Sequence, residues 1–400
     1  MSLIQSIQYK DTAQLDAFGR VRISHPENIF DSKLLYDNAP LYWDDVQTSG
    51  TATSSHSTNT ASVTLTVNAS TAGVRTRQTF MRFNYQPGKS QLINMTFVLD
   101  KTGGGTGITR RAGIFDDNNG IFLEDAAGTY KIVRRTYVTG SAVDTAVSQS
   151  SWNIDKMDGT GVSGITIDFS KAQIMVIDFE WLGVGRVRVG FNIDGVTYYA
   201  HQFLNANSLS NVYMSTPNLP LRYSIANSGT GVASTLECIC ASVISEGGSQ
   251  HLGTLRHKDS GAIATLATGT KYALIGIRLK SAALSAGVII ENVSVLSSTA
   301  NDLCDWNLVW NPTVAGTFTY ADQTNSTVQC ATGANTNTIT NGYDLDGGYF
   351  ATAAPANSVV PNALRLGSTI SGTADTIVLS VTPITNNVTV YASITWREVS

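Results

Sequence analysis

Asp178 and Glu180 stand two residues apart in Ile177-Asp178-Phe179-Glu180-Trp181, a spacing that puts both carboxylates on one face of a strand. Two carboxyl groups so placed could run glycoside hydrolysis, one donating a proton while the other acts as base or nucleophile. Arg186 and Arg188 repeat the spacing in Arg186-Val187-Arg188. A hairpin with a three-residue loop at 183–185 sets Leu182 opposite Arg186 and Glu180 opposite Arg188. Trp181 then faces Val187 and Phe179 faces Val189 on the other side. An arginine neighbour lowers a carboxyl pKa, whereas a general acid needs it raised. Asp178, Glu180, Arg186 and Arg188 therefore read as structural charge pairs worth about 0.2–1 kcal/mol each. No catalytic residue is expected, and the chain is not expected to be an enzyme.

The remaining reactive residue types form no better constellation. His25, His56, His201, His251 and His257 belong to no H-E-x-x-H or H-x-E pattern, and neither G-x-S-x-G nor a P-loop occurs. His201 reads as a hydrogen-bonded polar side chain on a strand, and His251 and His257 as exposed residues of a Gly/Ser-rich junction. Asp116-Asp117-Asn118-Asn119-Gly120, Asp155-Lys156-Met157-Asp158-Gly159-Thr160-Gly161 and Asp344-Leu345-Asp346-Gly347-Gly348 carry oxygen ligands for calcium. The first lacks the alternate ligands and distal glutamate of an EF-hand loop, the first two read as polar turns, and the third is an equally weak candidate. Cys238 and Cys240 are expected on one strand face as small buried hydrophobes, and a Cys304–Cys330 bridge has no support. No metal and no cofactor are expected.

The elements around these residues are strands. Charged residues are 14% of the 400, well under the ~25% of ordinary globular chains, and β-branched residues, Gly, Ser and Asn are abundant. Ser62-Val63-Thr64-Leu65-Thr66-Val67 alternates polar and apolar, as a half-buried strand does. A net charge of −4 gives no basic footprint for nucleic acid. No run approaches the roughly 18 apolar residues of a membrane span, and Met1-Ser2-Leu3-Ile4-Gln5-Ser6 does not open like a secretory signal.

Four hundred residues exceed the roughly 250–300 that one core supports, so the chain is expected to divide. Residues 1–45 read as an extended arm whose Phe18, Phe30, Tyr36, Tyr42 and Trp43 need a surface to cover. The chain's own domain or a neighbouring subunit could supply it. Residues 46–248 read as a β-sandwich anchoring domain, ending near Gly247-Gly248-Ser249. Residues 249–400 read as a smaller, outward-facing β-domain, in which Arg365 and Arg397 are the only basic residues beyond Lys280.

Three long strings carry a family resemblance: Trp152 to Gly161 with Thr166-Ile167-Asp168-Phe169, Ile177 to Arg188, and Met214 to Tyr223. With Asp16-Ala17-Phe18-Gly19-Arg20 and Phe80 to Gly88, they resemble a family of virion structural proteins of tailed bacteriophages over roughly residues 14–250. The resemblance implies an all-β chain, a jelly-roll or lectin-like sandwich followed by the smaller β-domain. It also implies a non-enzymatic virion component made in a bacterial cytoplasm, such as a capsid decoration, head fibre or tail-associated protein. Its partners would be copies of itself, as a homotrimer, and other capsid, portal, collar or tail proteins. A tail-fibre or baseplate protein binding a host surface glycan is the alternative, with Trp306, Trp310, Tyr343 and Tyr349 as exposed platforms. A depolymerase is the third reading and demands a cleft with a close pair of carboxyls of raised pKa.

Overall fold

The computed structural model describes residues 24–250, 252–298, 301–352, 356–359 and 365–399. Among them the chain is nearly all β, with two short 3-10 turns at Gln149–Ser151 and Ser281–Ala283. No helix there is long and apolar enough to cross a membrane.

Two antiparallel sheets form a sandwich from residues 27–245. The first orders its strands Val196–Phe203, Val187–Ile193, Gln173–Phe179, Gln91–Thr102, Ser234–Ser245, Ser62–Val67 and Ala52–Ser57. The second orders Val143–Ser148, Thr129–Thr136, Gly120–Ala126, Ile108–Phe115, Leu221–Ser228, Ala72–Thr79 and Trp43–Gly50. Alternation places Ile93, Met95, Phe97 and Leu99 of one sheet against residues such as Ile114, Leu221, Tyr223 and Ile225 of the other in one apolar core. A second core lies among residues 263–396. It joins a four-stranded sheet (Thr254–Leu266, Val388–Val399, Gly287–Ser297, Ala356–Val359) to a six-stranded one. The six-stranded order is Ala321–Asp322, Val328–Thr332, Tyr272–Leu279, Thr376–Pro383, Cys304–Trp310 and Tyr343–Phe350.

Three expectations need correction. The arm expected over 1–45 is, from Glu27 on, part of the sandwich. Glu27–Lys33 pairs with Ser234–Ser245 beyond the point where Ser62–Val67 leaves that strand, and Phe30, Leu34 and Trp43 enter the core. Phe18 lies outside the described residues.

Cys238 and Cys240 do not share a face. The ladder to Gln91–Thr102 slips between them, and this bulge moves the buried positions from 234, 236 and 238 to 241, 243 and 245. Cys238 stays in the core, while Cys240 reaches the Thr96 hydroxyl on the opposite face at 3.3 Å. All four thiols are free, and two strands separate those bearing Cys304 and Cys330. Strand spacing puts these about 14 Å apart, too far to bridge.

The hairpin register is also shifted by two residues. Asp178 opposes Arg188 and Phe179 opposes Val187, and the Glu180 N–H donates to Arg186 O at 3.1 Å. The loop is therefore 181–185. Its cause is Trp181, which leaves the ladder to donate Nε1–H to Met214 O at 3.0 Å and pack beside Tyr85. Leu182 and Gly183 turn the chain with φ of 32° and 79°.

Candidate functional site

The carboxylates that the spacing offered for chemistry are brought together with cations. Asp178 is buried, takes a charge-assisted hydrogen bond from Arg188, and accepts one from the Tyr199 hydroxyl at 3.1 Å. The Arg188 guanidinium lies 4.2 Å from the Tyr199 ring centroid. Glu180 is exposed and accepts from the Arg186 main-chain N–H at 3.2 Å rather than pairing with Arg188. A double-mutant cycle tests the register. Asp178→Asn with Arg188→Gln should couple by about 1 kcal/mol or more, and Glu180→Gln with Arg188→Gln by almost nothing. Coupling in the second cycle alone would restore the shorter loop.

The turns are built by their own side chains. Asp116 Oδ1 accepts the N–H groups of Asn118 and Asn119, each at 2.8 Å, while Oδ2 meets Arg82 at 2.5 Å. Asp155 accepts the N–H groups of Met157 and Ser163. In both turns the carboxylate is already engaged by N–H donors. His201 is buried, accepts the Asn153 N–H at 3.2 Å, and has its pKa pushed down to about 4 by burial.

The four aromatic residues proposed as platforms divide. Trp306 is core, only 4% exposed, which removes it from any ligand surface. Tyr343 and Tyr349 are exposed on the edge strand Tyr343–Phe350. Trp310 is half-buried and stands at the junction of the two sandwiches, edge-on to Phe80 at 5.2 Å and 5.8 Å from Tyr343.

That junction holds a cleft with aromatic walls. The cleft, of about 210 Å³, is walled by Phe30, Leu41, Tyr42, Phe80 and Met81 from the first sandwich and Trp310, Leu345, Arg365, Gly367, Asp375 and Ile377 from the second. Main-chain N–H donors of the second sandwich bond to the first. Ser368 N–H donates to Phe80 O at 3.1 Å, and Ile370 N–H donates to Asp44 Oδ2 at 2.7 Å. The Asp375 carboxyl, 3% exposed, accepts from Asn311 Nδ2 at 2.8 Å. Burial is the main cause that raises its pKa to about 6; the Asp44 charge adds to the rise and the Asn311 and Trp310 hydrogen bonds oppose it. Burial also lowers the Arg365 pKa, against the charge of Glu27.

The cleft opens onto the segment between Lys33 and Trp43, where Leu35, Tyr36, Leu41 and Tyr42 are exposed beside Tyr343. Tyr36 is 89% and Tyr42 57% exposed. The segment is pinned at both ends, because the strand before it belongs to one sheet and the strand after it to the other. Sequence reading found Tyr36, Tyr42, Trp310 and Tyr343 separately. It missed Phe80, Arg365 and Asp375, since no local pattern joins residues so far apart.

No protein-family model and no curated protein matches the chain. Solved structures do show likeness, all of it distant. An endo-1,3-beta-glucanase from Streptomyces sioyaensis superposes with a TM-score of 0.38 and 10% identity, over 57% of this chain and 99% of that one. Winged bean acidic lectin gives 0.32 and 9%, over 56% and 99%. The CBM2 module of the evolved Dit of Lactobacillus casei BL23 phage J-1 gives 0.35 and 7%, over 57% and 100%. The chain is an all-β protein of sandwich type. Likeness at these scores carries nothing about what it binds or whether it catalyses.

Proposed function

We propose that this chain is a non-enzymatic structural component of a bacteriophage particle, an oligomeric capsid-decorating or appendage protein. The observation that supports this reading is the exposed apolar surface of Leu35, Tyr36, Leu41, Tyr42 and Tyr343. Large apolar side chains gathered on one fixed surface mark an interaction site. Burial against another copy of the chain would remove that surface from water, and the segment's anchorage in both sheets means little ordering entropy is lost on docking. The sequence strings that resemble tailed-phage virion proteins point to the same class. Asp375 has a raised pKa, as a general acid needs, but the neighbouring Asp44 carboxylate is already held by the Ile370 N–H. That engagement favours a binding role over a catalytic carboxyl pair.

Light scattering on the purified chain should give about three times its 42.6 kDa mass. Leu35→Ser with Tyr36→Ser should shift it to the monomer without lowering the melting midpoint. Electron-microscopic density for the chain in intact particles should place it on the capsid, collar or tail. A wild-type monomer that is absent from purified particles would sink the proposal.

A further inference from the structure

We infer that the cleft between the two sandwiches binds a quaternary ammonium group, such as that of choline, among the rings of Tyr42, Phe80 and Trp310 and beside the Asp375 carboxyl. This does not depend on where in a particle the chain sits.

The rings are the first reason. Phe80 and Trp310 meet at an interplanar angle of 80° with centroids 5.2 Å apart, and Tyr42 lines the same space from the first sandwich. Aromatic rings gathered at steep angles around one space form a cage that attracts an onium ion through their quadrupoles. The methyl groups of such an ion are themselves apolar, and suit the remaining wall of Met81, Leu345 and Ile377.

The charge is the second reason. Asp375 lines the cleft at 3% exposure, and the groups that hydrogen-bond it, Asn311 and Trp310, are neutral. The charge that acts on it is that of Asp44, across the seam, and this is also negative. Arg365 lines the cleft too, but it is half-buried, lines the narrow pocket beside Asn84 and Gln86 as well, and feels the charge of Glu27. Ionised Asp375 is thus a desolvated anion held by neutral donors, and a bound cation would offset its cost. A ligand carboxylate would be repelled by it, and a neutral ligand would leave it uncompensated.

The test is a calorimetric titration of the intact chain with choline and with neohexanol, the uncharged isostere in which carbon replaces the nitrogen. At about pH 7.5 choline should bind saturably and neohexanol about tenfold more weakly. Asp375 has its pKa raised to about 6, so at about pH 5 it is mostly protonated and choline should lose about tenfold in affinity. Asp375→Asn should erase both the preference for charge and this pH dependence. Tyr42→Ala should weaken choline severalfold at an unchanged melting midpoint, since that ring is 57% exposed. Sedimentation with phosphatidylcholine vesicles, reversed by choline, would identify a lipid headgroup as the source; choline binding without sedimentation would identify a soluble or polymer-borne group. Leu35→Ser with Tyr36→Ser should bind choline at least as tightly as the wild type, so failure of assembly and failure of this site are distinguishable. The inference is overturned if neohexanol binds as tightly as choline, if neither binds, or if methyl α-D-glucoside binds more tightly than choline.

Discussion

Replacing Arg110 by Met should lower the unfolding free energy by about 3–5 kcal/mol, read as a shift in the denaturant midpoint. The guanidinium is fully buried. It bonds Asp125 Oδ2 at 2.6 Å, Asp100 Oδ1 at 3.0 Å, Thr102 O at 2.7 Å and Thr235 O at 3.1 Å. Thr235 and Thr102 belong to the eight-stranded sheet, whereas Arg110 and Asp125 belong to the other. One side chain thus ties the two sheets together at the ends of central strands. Removing it leaves Asp125, itself only 1% exposed, as an uncompensated buried charge. Arg110→Met combined with Asp125→Asn should recover a good part of the loss, because the stranded charge is gone. If the single replacement costs under 1 kcal/mol, the network does not hold the sheets.

The second large effect is a pH dependence centred on Asp375. Its folded pKa of about 6 lies above the ordinary 3.8. Below about pH 4 the carboxyl is protonated in both folded and unfolded chains and costs nothing extra. As pH rises toward 6 the unfolded chain gives up its proton first, so stability is lost through that window. The loss is complete above the folded pKa. A shift of that size is worth about 3 kcal/mol at most. Asp375→Asn cannot titrate. The stability difference between variant and wild type should therefore move in the variant's favour by about that amount between pH 4 and pH 7. The comparison is insensitive to any constant cost of the amide beside Trp310. A difference that stays flat with pH would show that the carboxyl is not desolvated.

Much of the fold is legible in the residues because strand alternation has a period of two. Ser62–Val67, Gln173–Phe179 and Val187–Ile193 read as strands and are strands. Their inward residues, such as Val63, Leu65, Met175, Ile177, Val187 and Val189, are buried in the core. The separation of the chain's apolar residues into two cores also follows from length, since one core cannot grow to hold 400 residues. The buried arginine networks were not legible. Arg77 and Arg110 sit in strands that local composition marks as polar, and only the sheet order shows that Asp45 and Asp125 reach them.

The hairpin at 173–193 marks the boundary most clearly. Its sequence by itself determined which face of each strand is apolar, and therefore that acidic and basic residues share the other face. It could not determine which acid meets which base. A slip of two residues leaves every side chain on its face, so alternation alone is indifferent between Glu180–Arg188 and Asp178–Arg188. The choice was made outside the hairpin, by the docking of Trp181 onto Met214 and Tyr85, which lengthens the loop and moves the ladder along. The cleft was decided in the same way. Phe80, Trp310, Arg365 and Asp375 meet because two separately formed cores pack at one seam, and contacts between cores leave no periodic mark in either segment.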